Sequence, residues 1–291
     1  MKIKVFFFAV AAAVLTSCSS DEVSDNESNV INLSAQVSGT TRATATEELQ
    51  NTQFVAGKTI HVDVFETGQT TPYANGDYTT TDGAGGMSGN LVYPASKQNI
   101  DIEAYYPSTV TYSATTFTVS ATQQTAAQYQ GCDLMYAKLQ NQPKKDEHQL
   151  TFSHALSKVI VNLSAGNGVS ASDITSKVTA VTLNGSKLTA NINKGVVSSA
   201  SGSTSSIDVT GSNVLSNVGI IVPQTITSGT AFISVTYGGQ TYTYSLSSDK
   251  VFAAGKQYTY TLTLNAGGIS LKSQTITDWV SETGGSGTIT I

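Results

Sequence analysis

Arginine is nearly missing from this 291-residue chain: of 15 basic residues one, Arg42, is arginine and the rest are lysine. Charged residues of every kind make up only 12% of the sequence, and the net charge is −5. That balance excludes a nucleic-acid surface, because phosphate binding needs clustered Lys and Arg, and the clearest basic pair here is Lys144-Lys145. Histidine occurs three times and cysteine twice. Such sparse cysteine excludes a disulfide scaffold or a cysteine metal cage, and no His-Glu-x-x-His or EF-hand loop takes its place. A catalyst needs convergent titratable groups, and no Gly-x-Ser-x-Gly elbow is present. No enzyme activity, cofactor or metal is therefore expected. Proline is scarce at 5, and sustained helical spacing is hard to find. What fills the chain instead is Ser, Thr, Gly, Val, Ile and Tyr, the usage of strands and tight turns.

The N-terminus reads as a targeting segment. Lys2 and Lys4 precede the apolar run Val5 to Leu15, which is too short to span a bilayer. Next comes Leu15-Thr16-Ser17-Cys18, which resembles the lipobox of bacterial lipoproteins. That resemblance implies a signal peptide over residues 1–17, cleavage before Cys18 and lipid attachment to it, enough to hold the protein on a membrane without a transmembrane helix. Residues 18–29 are polar and acidic, as expected of a disordered tether. Their acidic character also looks like the signal that sends lipoproteins of Bacteroidota to the outer face of the outer membrane, and a solvated linker explains it equally well. With Cys18 lipidated, Cys132 has no disulfide partner and reads as a small core residue.

From residue 30 onward, period-two alternation predicts half-buried strands. Ile31, Leu33, Ala35 and Val37 share one face of the first; Ile60, Val62 and Val64, then Ile100, Ile102 and Ala104, repeat the pattern. A second block begins near Gln149, with Val159, Val161 and Leu163 alternating. Two hairpins are expected, one turning at Asn184-Gly185 and one at Gly238-Gly239. Strands at Tyr258 to Leu264, Ile269 to Val280 and Thr288 to Ile291 close the chain, and a short helix is expected near Ser170 to Ser176. Thr79 to Gly89 and Ser198 to Ser206 read as mobile surface loops. The polar stretch Asn141 to His148 reads as an interdomain linker, dividing an N-terminal unit at 30–148 from a C-terminal one at 149–291. The fold class is all-β.

Few side chains offer chemistry. His61 and Asp63 share a strand face and read as an exposed polar surface rather than a metal pair. Asp77 and Asp82 lie in or beside a Gly-rich loop, where a solvated turn is a commoner meaning than weak calcium binding. His148 falls in the linker, and His154 reads as a hydrogen-bonded structural residue. The tyrosines cluster at 73, 78, 105, 106 and 112, and again at 237, 242, 244, 258 and 260. Sheet packing explains them, while a monomeric surface adhesin that binds glycans or host protein through Tyr73 and Tyr78 is the alternative.

Arg42 follows the first candidate strand within Thr41-Arg42-Ala43-Thr44. A protease that needs an extended, exposed arginine finds one such site in the chain. Around this site runs an ordered set of segments: Phe54-x-x-Gly57-x-x-Ile60-x-Val62, Tyr105-Tyr106-Pro107, Phe152 to Val159, Val222-Pro223-Gln224-Thr225, Phe252 to Tyr258 and Ile276-Thr277-Asp278-Trp279. Together with the lipobox they resemble the fimbrillin family, the lipoprotein-derived pilins of Bacteroidota. The resemblance implies two transthyretin-like Greek-key β-sandwiches in tandem and delivery to the cell surface. It implies that an arginine-specific protease cuts after Arg42, freeing Ala43 as the new N-terminus and removing strand 30–41, whose Ile31, Leu33, Ala35 and Val37 plug a groove. Other fimbrial subunits are the implied partners, a neighbour's C-terminal strand refilling the groove. Donor residues are Ile269, Leu271, Ile276 and Trp279, or Ile289 and Ile291. A stalk and a tip role both fit.

Overall fold

The computed structural model describes residues 29–38 and 54–279. More than half of the described chain is strand, and its two helices are short. In order it forms β1 (Leu33–Val37), β2 (Thr59–Glu66), β3 (Ala74–Thr80), β4 (Met87–Ser88), β5 (Ile100–Tyr106), β6 (Thr116–Thr118), α1 (Ala126–Gln130), β7 (Met135–Gln142), β8 (His148–His154) and β9 (Ser157–Ala165). There follow α2 (Ala171–Lys177), β10 (Val178–Asn193), β11 (Val196–Asp208), β12 (Ser216–Ile221), β13 (Gln224–Ile226), β14 (Ile233–Tyr237), β15 (Gln240–Tyr244), β16 (Lys250–Phe252), β17 (Lys256–Asn265) and β18 (Gly268–Asp278).

Seven strands make one sheet in the order β1-β8-β7-β5-β2-β3-β4. The alternation of Ile60, Val62 and Val64 with Ile100, Ile102 and Ala104 puts these side chains on one face, where they form a core with Phe54, Leu150 and Phe152. The rest of the chain forms a sheet β12-β9-β17-β18 and a sheet β11-β10-β14-β15 with β6 added to β10, plus the pair β13-β16. Their apolar faces share a second core containing Val159, Val161, Val181, Leu183, Ile233 and Tyr260. Ser170 caps α2, its side chain accepting from the Asp173 amide while the Asp173 carboxylate accepts from the Ser170 amide, so the expected short helix is present. Thr125 and Gln128 cap α1 in the same way, a signal unused in the sequence reading. Gly238 and Gly239, at φ +59° and +82°, turn β14 into β15 as expected.

Four expectations are corrected. Asn184-Gly185 is no hairpin turn, because β10 runs through it for 16 residues. Leu183 faces Ile207 and Ser186 faces Ser205, so Asn184 and Gly185 together oppose Ser206 in a bulge. The positive φ of Gly185, +75°, suits a bulge as well as a turn, and strands pair with β10 on both sides. The turn lies at Lys194-Gly195, φ +48° and +73°. The supposed loop at Ser198 to Ser206 is therefore part of β11, an edge strand whose uniform hydroxyl side chains hide the period of two. The stretch from Asn141 to His148 joins β7 to β8 inside the seven-stranded sheet, which keeps its residues as far as His154. Residues between β5 and β7 meanwhile contribute Val110, Phe117, Val119 and Tyr129 to the second core.

The fourth correction concerns Asp63, which is buried rather than exposed. Its face of the sheet, with Glu103 beside it, is covered by the chain after β5 and by the β10–β11 turn. Asp63 accepts from the Tyr112 amide at 3.1 Å. Glu103 accepts from Lys138 Nζ at 2.9 Å and from the Tyr105 hydroxyl at 2.8 Å, with Lys194 Nζ at 3.5 Å. Buried carboxylates need such partners. His61 lies between Asp63 and Asp77, whose Oδ1 is 3.0 Å from its Nδ1, and its pKa is raised, first by the hydrogen bond to Asp63. Asp82 caps its own turn, accepting from the amides of Ala84 and Gly86. Among the described residues no group of three or more His, Cys, Asp or Glu gathers as a metal site.

Candidate functional site: the strand in the groove

The feature that sets this fold apart is the position of β1. It pairs in parallel with β8, Leu33 beside His148 and Val37 beside Phe152, although 115 residues separate them in sequence. Its other edge is also held. The amide of Ile31 donates to the Leu91 carbonyl at 2.7 Å, that of Ala35 to Gly85 at 2.8 Å, and that of Tyr93 to Asn29 at 2.9 Å. β1 thus lies between β8 and the stretch from Gly85 to Tyr93, filling a slot with a ladder on each wall.

The alternation that predicted this strand has its physical basis in that slot. Ile31, Leu33, Ala35 and Val37 are all buried in the first core, which also contains Phe54, Tyr78 and Phe152. The Tyr78 hydroxyl donates to the Ile31 carbonyl at 2.7 Å. Tyr78 is buried, which removes it from the glycan-binding pair proposed with Tyr73. Gly85 makes the second wall possible. With φ +101° it sits so close that a Cβ there would stand 2.4 Å from the Ala35 carbonyl oxygen.

His148 marks the end of the slot where β1 begins, and it is fully buried, not a linker residue. Its Nε2 meets the Tyr93 hydroxyl at 2.7 Å, while Nδ1 has no partner among the described residues. Burial, with Lys145 adding its charge, lowers its pKa to about 4. The unfolded chain binds the proton near pH 6.5 and the folded chain resists it, so stability is complete above pH 6.5 and falls as pH drops from there to about 4. The loss is at most about 1.4 kcal/mol per pH unit for one proton. Denaturant titrations of the parent and of His148→Gln over this window should show the slope in the first and a flatter curve in the second.

At the other end of β8 the chain crosses to the second core, and the single tryptophan stands there. Trp279 stacks on His154 with ring centroids 4.0 Å apart and planes 5° from parallel. His154 Nδ1 meets Asp133 Oδ1 at 2.8 Å, the structural role expected of it. Lys158 Nζ lies 6.0 Å from the Trp279 ring centroid, and the Trp279 amide donates to the Gly255 carbonyl. Trp279 is thereby part of its own chain's interior. β18, just before it, pairs with β17 from Gly268 to Asp278. On β18, Ile269 and Leu271 pack against the second core and Ile276 is partly exposed.

Comparison with known proteins decides the family. A profile of fimbrillin-like proteins matches residues 41–279. The chain belongs to the fimbrillin-like family. It is 29% identical over 222 residues to the candidate fimbrium subunit Fim1C of Bacteroides uniformis, covering 72% of this chain and 70% of that one. A solved structure of a candidate cell adhesion protein from Bacteroides uniformis superposes with a TM-score of 0.66 at 21% identity, covering 86% of this chain and 98% of that one. One from Bacteroides ovatus gives 0.65 at 20% identity, covering 87% and 98%. These two likenesses carry the fold.

In this fimbrillin-like chain the groove residues Ile31, Leu33, Ala35 and Val37 come together as one row, while Cys18, Arg42, Ala43, Ile289 and Ile291 lie outside the described residues. Among the described residues no helix is long and apolar enough to cross a membrane. Cys132 is buried, accepting from the Ser120 amide at 3.1 Å, and burial raises its pKa. The sequence reading missed His148, Tyr93 and Gly85. A Gly-rich loop signalled a turn at Gly85, but nothing local signalled that a distant strand passes against it.

Proposed function

We propose that this chain is a structural subunit of a surface fimbria, exported as a lipoprotein through Cys18, held on the outer membrane as a precursor, and assembled by strand addition to support adhesion. On this reading the two cores are two transthyretin-like Greek-key sandwiches in tandem. An arginine-specific protease cuts after Arg42, β1 leaves, and the C-terminal segment of another subunit takes its place. The observation that carries the reading is the burial of four β1 side chains in a slot with hydrogen bonds along both walls. Emptying the slot exposes a dry groove and two unpaired edges, and such edges capture strands.

For the donor, detaching β18 would break its ladder with β17 and unstack Trp279. Donation by the residues after Trp279, with Ile289 and Ile291 on one face, breaks none of those contacts. The test is treatment of the purified precursor with an arginine-specific protease. A single new N-terminus at Ala43 and ladders that resist mild SDS are expected, and Arg42→Ala should give neither. A parent precursor that is cut after Arg42 and stays monomeric would sink the reading.

A further inference from the structure

Among the described residues, large apolar side chains are exposed at Tyr73, Val92, Val196, Val251 and Ile276. Two of these form one patch: Tyr73, 38% exposed, donates its hydroxyl at 2.9 Å to the carbonyl of Val92, itself 45% exposed. The patch abuts one end of the groove. Val92 bridges antiparallel to Val30, and the Tyr93 amide donates to the Asn29 carbonyl. Tyr73 and Val92 therefore stand where the strand in the groove begins, far from Ser38 where it ends.

The direction of β1 tells which end of the groove a neighbour must face. β1 runs parallel to β8, so a strand that takes over its hydrogen bonds in the same direction has its N-terminal side at the Asn29 end. A C-terminal segment is attached to its own subunit only through the residues before it. The donor's body consequently stands over Tyr73 and Val92. What it presents there is the root of its C-terminal segment, where residues 280–291 follow Trp279 and Ile276 is 37% exposed.

The geometry points to the Tyr73–Val92 patch as the docking surface for a second copy of this chain, which sets Ile276 and the root of its C-terminal segment against it. This rests on the strand-addition reading and adds to it a direction of insertion, parallel to β8, and a second contact. Two different surfaces meet, so the contact is heterologous and each subunit can pass it on to the next. Apolar contact of this size is weak alone, but the inserted strand tethers it and raises its effective concentration. An antiparallel strand would place the neighbour beyond Ser38 and leave the patch in water.

The test uses full-length precursor cut with an arginine-specific protease. Val92→Glu and Ile276→Glu should each lower filament yield about tenfold or more, since an unpaired carboxylate then faces an apolar side chain. Val92→Lys combined with Ile276→Glu should restore it, because every contact then pairs opposite charges. A synthetic peptide of residues 280–291 carries the donor segment without Ile276, so it should bind cut Val92→Glu protein as well as cut parent. Undiminished filaments from both single variants overturn this contact and leave strand addition standing. A cut parent that neither polymerises nor takes up the peptide overturns strand addition, and this contact with it.

Discussion

Leu33→Asp is expected to lower the unfolding free energy by about 4 kcal/mol or more, in the range reserved for unpaired charge in a core. Leu33 is buried between both walls of the slot, with Ile31, Ala35 and Val37 in the same row. Burying a Val, Leu or Ile side chain stabilises by about 1.5–3 kcal/mol, so the row contributes about 5–10 kcal/mol. The net stability of a domain is about 5–15 kcal/mol. One short strand thus accounts for much of what keeps the first core closed. Gln36→Glu, on the half-buried opposite face, should stay within about 0.5 kcal/mol of the parent. Denaturant unfolding measures both. The variant also bears on assembly: a strand that no longer seats in its slot leaves the groove open without proteolysis. On the proposed strand addition, uncut Leu33→Asp precursor should therefore form the ladders expected of the parent only after cutting. A Leu33→Asp protein as stable as its parent would mean that the strand is not a plug.

The second large effect is expected at Trp279. Truncation to Ala removes a fully buried ring and leaves His154 facing a void, at about 3–5 kcal/mol for an aromatic in a core. Trp279→Phe should recover part of this, since a ring can still stack on the imidazole. Trp279 is the sole tryptophan, so its emission reports one place. In the parent, emission should stay that of a buried indole through protease cutting and polymerisation if the donor lies beyond Trp279. A shift to solvent-exposed emission on polymerisation would instead assign donation to β18. The same measurement separates the two donor candidates and tests the junction.

Much of the architecture was legible because it is written locally. Ile60, Val62 and Val64 point inward because a strand alternates its side chains, and no distant partner is needed to see it. The same holds for β1, for the short helix near Ser170 and for the turn at Gly238-Gly239. Legibility ended where one local signal serves two structures. A glycine that tolerates positive φ makes a turn at Gly195 and a bulge at Gly185, and the difference lies in strands β14 and β11 lying against β10. The hydroxyl-rich β11 looked like a loop because its residues do not alternate in polarity. Asp63 looked exposed because its covering arrives from Tyr112 and from the β10–β11 turn, far along the chain.

The local sequence was thus enough to establish an all-β chain, the inward row of Ile31 to Val37, and one arginine set just behind it. Placing that row between β8 and Gly85, with His148 buried at one end and Trp279 stacked at the other, took the folded chain. The reason is physical. Strand faces follow from a period of two within a few residues, whereas the choice of neighbour depends on which distant surfaces exclude water together, and no short stretch of sequence carries that information.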